Sequence, residues 1–307
     1  MLVEPTNTPQ RIDAGRSNVS HDNKKRDYTL VLSGGGMRGL AHIGVLRVLE
    51  DACLLPSEVV GSSVGALIGA AWCAGWEVSD LHEMALALNR RDLFRLASRD
   101  MALKGLRSPS LYQRQPIQAL IDGLLGDITF AELERPLFVN TVELTTGAAQ
   151  LWGATENPDA RVADAVYASC ALPGYLPPLC VNGHAFADGA SVGNLPLEAA
   201  AARGRALVIA VDVGSPMARA PDMVNGGFAL AHARAIEIGL GRMRDAMLRQ
   251  WAGPPLLLLQ PEVSSIPMFS FAHSEELIEA GTRTAAAALR RGLPAPGARG
   301  VHVRTVA

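Results

Sequence analysis

The stretch EVVGSSVGALIGAAWCAGW, Glu58 to Trp76, decides how the rest of the chain is read. From Val59 to Trp76 it runs 18 residues without a charge, and Gly61, Gly65 and Gly69 recur at every fourth position. That is the pattern of a membrane helix with a small-residue packing face. The same residues spell G-x-S-x-G at Gly61-Ser62-Ser63-Val64-Gly65, the tight turn that holds up a nucleophilic serine. SEVVGS ahead of the turn reads as a strand and VGALIGAAWCAGW behind it as a helix, which is the context that turn requires. The run is short for a span, and Glu58 and Glu77 flank it where basic residues are the usual topology signal. The enzyme reading therefore takes precedence over the membrane one.

Upstream, YTLVLS (Tyr28–Ser33) is a short apolar run that reads as a buried strand, and three glycines follow it. MRGLAHIGVLRVLEDA then carries Leu40, Ile43, Leu46, Val48 and Leu49 at helical spacing, and Pro56 ends that helix region. Strand, glycine turn, helix, strand, tight turn, helix is the alternation of a parallel sheet with helices on its faces. Downstream, RPLFVNTVEL and AAQLWGA read as two strands joined at Thr145-Thr146-Gly147, RVADAVYASC as a short helix, and LPGYLPPLCVNGHAFADG as a proline-rich passage into a hairpin at Asn182-Gly183. RALVIAVDVG and PPLLLLQP read as further strands. GGFALAHARAIEIGLGRMRDAMLRQW and SEELIEAGTRTAAAALRRG read as long helices. The fold expected is α/β, a central mainly parallel sheet between helices, over residues 27–307. Residues 1–26 read as a flexible polar arm.

Composition narrows the class. The chain has 307 residues, 49% hydrophobic and 19% charged, with a net charge of -2. That balance gives no pull toward nucleic acid. Cys53, Cys73, Cys170 and Cys180 form no C-x-x-C pair and no metal spacing, so they read as reduced, mostly buried thiols. The N-terminus lacks a positive start followed by an apolar segment, so no signal peptide is expected and the location expected is cytoplasmic, with peripheral contact at the inner membrane.

Ser33 to Gly39 reads SGGGMRG. Gly34, Gly36 and Gly39 fit the dinucleotide fingerprint G-x-G-x-x-G, but the acidic residue that should end the second strand is replaced by Ser62-Ser63. A glycine turn entering a helix also presents free N–H groups to an anion, bound or developing during reaction. Arg38, in the first helical turn, either reinforces that site and meets a lipid phosphate or pairs with a carboxylate as a structural residue.

A serine hydroxyl needs a base within reach. Among the seven histidines, His273 and His302 come late enough in the chain for the usual triad order, and neither has a glycine-rich or acidic-paired context. His42 falls inside the first helix. FADGASVGNLP (Phe186–Pro196) puts Asp188 directly after an apolar strand, with Gly189 and Ala190 following. Alone this is an ordinary Asp-Gly turn. Coupled with the serine turn, a partly desolvated carboxylate serves as the base directly, with His184 as the local rival.

Four motifs in order carry a resemblance to the patatin-like phospholipases, in particular to compact bacterial members. GGGMRG (Gly34–Gly39) resembles the family's oxyanion motif and GSSVG (Gly61–Gly65) its nucleophile turn. ASCALPGYLPPL (Ala168–Leu179) is similar to its proline-rich stretch, and DGA (Asp188–Ala190) to its aspartate motif. The resemblance implies Ser63 as nucleophile, Asp188 as base, and an oxyanion loop of Gly34, Gly35, Gly36, Met37 and Arg38, with the amides of Gly35 to Met37 donating. It implies no metal or cofactor, and a phospholipid, lysophospholipid or simple ester as substrate. An acyltransferase using the same acyl-enzyme and a non-catalytic lipid-binding protein are the rival functions. Residues 90–114 hold seven basic residues against Asp92 and Asp100, interleaved with Leu93, Phe94, Leu96, Met101, Leu103 and Leu106. That segment reads either as a flap for anionic membrane or as a solvated basic surface.

Overall fold

Strand β1 (Tyr28–Leu32) is buried at every residue, so it needs cover on both faces. It lies between β2 (Glu58–Ser62) and β7 (Leu207–Val211) and is parallel to both. The computed structural model describes residues 27–104, 110–214, 228–295 and 298–305; the arm at 1–26 lies outside them. The other strands are β3 (Leu137–Glu143), β4 (Ala149–Gly153), β5 (Leu179–Val181), β6 (His184–Asp188), β8 (Leu256–Leu259) and β9 (Val301–Arg304). They form one sheet in the order β5-β6-β3-β2-β1-β7-β8-β9, with β4 also paired to β3. Pairings from β3 through β9 along that order are parallel, whereas β4, β5 and β6 join by antiparallel pairing.

Period-two alternation explains the burial. Leu30, Leu32, Val59, Ile209, Val211, Leu257 and Leu259 point to one apolar layer. Val31, Val60, Val208, Ala210, Leu256 and Leu258 point to the other. The first layer is built with helices α1 (Ala41–Asp51), α2 (Val64–Cys73), α3 (Val78–Ala87), α6 (Gln115–Leu125), α7 (Val162–Cys170) and α11 (Ser274–Arg290). Between α3 and α6 lie the short α4 (Arg90–Leu93) and α5 (Ser98–Lys104). The second layer is closed by α9 (Leu197–Ala202) and the end of α10 (Phe228–Arg249), following the single turn α8 (Ala190–Gly193). No helix among the described residues is long and apolar enough to cross a membrane. The 18-residue apolar run is instead a buried strand, a turn and a ten-residue helix.

Two backbones meet unusually closely at the crossing of α1 and α11. A β-carbon on Gly281 would lie 1.9 Å from the Ala41 carbonyl oxygen, and one on Gly44 would lie 2.0 Å from that of Ile278. Only glycine fits at either position.

The chain runs from β1 to β2 on one side and reaches β7 later on the other. The crevice outside the carboxyl ends of such strands is where α/β sheets bind ligands. The glycine loop follows β1 there, and the serine turn follows β2.

Candidate active site

Ser63 sits between the last residue of β2 and the first of α2, with φ 52° and ψ -126°. A side chain rarely adopts a positive φ, and such strain persists only where the surroundings fix it. Here the neighbours are tight on both sides. A β-carbon on Gly65 would lie 2.3 Å from the Leu32 carbonyl oxygen, and one on Gly61 would lie 2.6 Å from Ala66 Cα. The Ser63 amide donates to Ser169 Oγ at 2.8 Å, and the Ser169 hydroxyl donates onward to the Asn140 carbonyl at 2.7 Å.

Asp188 arrives from a different direction. β6 runs antiparallel to β3, with Asp188 opposite Thr141, while β3 runs parallel to β2, with Asn140 opposite Ser62. The register therefore sets the end of β6 two strands across from the serine turn. Asp188 is 3% exposed. Its carboxylate accepts the Ala190 amide at 2.8 Å and has the Ser63 side chain beside it. Burial pushes its pKa up from 3.8 to about 7, against the opposing pull of the Ala190 amide and the nearby Ser63 side chain. Asn140 Nδ2 donates to the carbonyls of Gly189 and Gly193 at 3.2 and 3.1 Å, and a β-carbon on Gly189 would lie 2.4 Å from the Asn140 carbonyl oxygen. Asn140 thus holds the aspartate loop with its amide and the serine turn, through Ser169, with its carbonyl.

The glycine loop divides in two. The Gly34 amide donates to the Asn194 carbonyl at 3.0 Å and the Met37 amide to the Met268 carbonyl at 2.8 Å. Both are therefore occupied, which corrects the expectation that Met37 contributes a free donor. Gly35 and Gly36 have no backbone acceptor among the described residues, and both line the same cavity as Ser63 and Asp188. Arg38 is buried and lines the cavity with Ser63, but its guanidinium is bonded elsewhere. Its guanidinium reaches the carbonyls of Ile266 and Ser264 at 2.7 and 3.2 Å and Glu237 at 3.1 Å. Of the two roles open in the sequence, the carboxylate-paired structural one describes its contacts. Asn194 Nδ2 returns a bond to the Gly34 carbonyl at 3.0 Å, so the loop is held from both flanks.

Of the histidines with described side chains (His42, His82, His184, His273 and His302), none lines the cavity. His42 is fully buried behind the loop, pairs with the Ser33 carbonyl at 2.8 Å, and is pushed down to about 4 by burial. His184 is exposed and 3.8 Å from Glu143. Cys170 does line the cavity, alongside Ser63 and Asp188. Burial and the nearby Asp188 charge push its thiol up, so it stays protonated and competes poorly as a nucleophile. No cluster of three or more His, Cys, Asp or Glu side chains able to hold a metal occurs among the described residues.

The cavity has two characters. Toward α2, α3 and α6 its walls are apolar; toward α10 they include Glu237 and Arg244. Arg244 is 3.4 Å from Asp212, which is buried and pushed above the usual carboxylate range by desolvation. Asn140, Ser169 and Cys170 were not singled out as site residues in the sequence. The signal for Asn140 was present: it is an amide inside the otherwise apolar run LFVNTVE, and a buried polar side chain needs partners.

A family model described as Patatin, patatin-like phospholipase, matches residues 30–201, more than half of the chain. The chain is 33% identical over 190 residues to neuropathy target esterase sws of Drosophila melanogaster, covering 61% of this chain and 13% of that protein. It is 32% identical over 207 residues to patatin-like phospholipase domain-containing protein 7 of Rattus norvegicus, covering 66% of this chain and 14% of that one. The matched region is thus a small part of either relative. In fold, the chain is similar to VipD from Legionella pneumophila, with a TM-score of 0.50 at 14% identity, covering 86% of this chain and 66% of that one. On these matches, and with an α/β architecture of the same kind, the chain belongs to the patatin-like phospholipase family.

Proposed function

We propose that the protein is a lipid acyl hydrolase working through a Ser63–Asp188 dyad. The observation that carries this is a single cavity lined by both a strained serine and a buried carboxylate pushed up to about 7. A carboxylate with that proton affinity is matched to taking a proton near neutral pH.

Ser63 Oγ forms a bond to the ester carbonyl carbon as its proton passes to Asp188. The carbonyl oxygen becomes an oxyanion against the amides of Gly35 and Gly36, helped by the positive end of α2. Collapse breaks the bond to the alcohol oxygen, which leaves with the proton from Asp188. Water then attacks the acyl-enzyme, giving its proton to Asp188, and Ser63 Oγ departs and takes that proton back. The product is a free fatty acid.

A surface beside the cavity supports a lipid substrate. Leu86, Leu96, Leu103 and Leu111 are exposed, Leu103 at 84%. Arg90, Arg91, Arg95 and Arg99 are exposed among them. Exposed leucines with arginines suit an anionic lipid surface, so residues 90–114 dock the protein there. Residues 105–109 of this segment, Leu106 and Arg107 among them, lie outside the described residues, as do the side chains of Asp100, Met101 and Lys104.

The test is fluorophosphonate labelling and fatty-acid release from mixed phosphatidylcholine and phosphatidylglycerol vesicles. Wild type should label at Ser63 and release fatty acid, and Ser63→Ala should do neither while keeping its circular dichroism. Turnover by Ser63→Ala would exclude the dyad.

A further inference from the structure

The apolar half of the cavity is organised along one helix. Val64, Leu67, Ile68 and Ala71 of α2 all line it, at the i, i+3, i+4, i+7 spacing of a single face. Ser63 stands at the start of that face and Ala71 at its far end. Opposite, α3 lines the cavity with Leu81 and Ala85, followed by Leu88 just past its end, and α6 with Ile117 and Leu124. The helices are arranged so that the same ends meet. The turn after α2 leads directly into α3, so Leu81 lies at the Ala71 end. Trp76 in that turn donates Nε1–H to the Leu124 carbonyl at 2.9 Å, which brings the end of α6 to the same place. Ala71 and Leu81 are 1% and 0% exposed and Leu124 9%, so this end is closed to water.

We infer that this is a blind tunnel for one acyl chain, with Ala71, Leu81 and Leu124 as a floor that sets chain length; the inference rests on the hydrolase reading above. Eight residues of helix separate Ser63 from Ala71, a rise of about 12 Å, which an extended chain of about ten carbons fills. The ester alcohol then faces the other half of the cavity, toward Glu237 and Arg244. The substrate class is therefore an ester of a medium-length acyl chain. Longer chains leave methylenes outside the tunnel or force them against the floor.

The experiment measures kcat/KM for monomeric p-nitrophenyl esters from butyrate through decanoate to palmitate. Wild type should rise to an optimum near decanoate and fall at least tenfold by palmitate. Ala71→Phe, which fills the floor, should cut the decanoate-to-butyrate ratio by about tenfold or more, one to two methylenes' worth of apolar discrimination. Leu124→Ala, which opens it and introduces no overpacking, should raise the palmitate-to-decanoate ratio. Profiles that are flat with chain length in wild type, or unmoved in both variants, overturn the tunnel while leaving the hydrolase intact. A wild-type protein that cleaves none of the esters and does not label at Ser63 overturns the hydrolase reading, and the tunnel's role with it.

Discussion

The hydroxyl of Ser169 sits between two main chains, accepting the Ser63 amide at 2.8 Å and donating to the Asn140 carbonyl at 2.7 Å. The geometry of the serine turn thus depends on a side chain from the end of α7, over a hundred residues away. Ser169→Ala strips the Ser63 amide of its acceptor, and an unsatisfied buried donor costs about 1–3 kcal/mol. Fluorophosphonate labelling of Ser63 should slow by about ten- to a hundredfold, the rate equivalent of that cost. Ser169→Thr, which keeps the hydroxyl, should recover most of it. Equal labelling rates for wild type and Ser169→Ala would show that the bond does not position the nucleophile.

The proton affinity of Asp188 gives a pH profile. The base acts only when ionised, and burial raises its pKa to about 7, so kcat/KM should rise with pH and level off above neutrality. A profile already flat from pH 5 upward would mean the ionising base is another group.

The same shift has a stability consequence with a definite sign. Folded Asp188 holds its proton more tightly than the unfolded chain does. Its burial therefore costs stability progressively as pH rises from 3.8 to about 7. Asp188→Asn removes that cost. It should be inactive yet more stable than wild type at pH 8, by up to about 4 kcal/mol, and indistinguishable near pH 4. His42 works the other way: its pKa falls from 6.5 to about 4, so wild type should lose stability as pH drops through that window. Urea titrations of both proteins across pH 4–8 separate the two effects.

Arg38 tests the loop clamp. Its three acceptors span Ser264, Ile266 and Glu237, a set that the fork of a guanidinium matches and an ammonium does not. Both Arg38→Lys and Arg38→Ala should lower the melting temperature and reduce kcat more than they raise KM, because the Gly35–Gly36 amides lose their fixed geometry. A stability loss of about 3 kcal/mol is expected for Arg38→Ala, from charged hydrogen bonds broken in a buried place. An unchanged kcat in a destabilised variant would leave Arg38 a purely structural residue.

The lipid-docking surface predicts salt-sensitive vesicle binding. Replacing Arg90, Arg91 and Arg95 with Glu should abolish sedimentation with phosphatidylglycerol vesicles, at about 1 kcal/mol for each arginine removed. Leu103→Asp should weaken binding to the same vesicles without changing cleavage of a water-soluble ester. Binding that is indifferent to anionic lipid content would discard the surface.

The β-α alternation was readable in the sequence because β1, β2 and their following helices each carry their own period and their own glycine turn. Sequence also gave Ser63 its local setting, since a strand-to-helix turn is specified by neighbours within a few residues. Its pairing with Asp188 was not local. It depends on β6 running antiparallel to β3 in a particular register, and no residue near Asp188 encodes that direction. The occupied amide of Met37 was hidden for a similar reason, as its acceptor belongs to Met268. Asn140 and Ser169 show the general difficulty: a bridging residue makes sense only after both things it bridges have been placed.

The glycine crossing of α1 and α11 carries a consequence for synthesis. α1 begins where the glycine loop ends, and its first turn is seated against Gly281. A chain still emerging from the ribosome holds the serine and the aspartate long before that seat exists. The support that α11 gives the glycine loop is therefore the last to be made, because Gly281 follows both Ser63 and Asp188 in the chain.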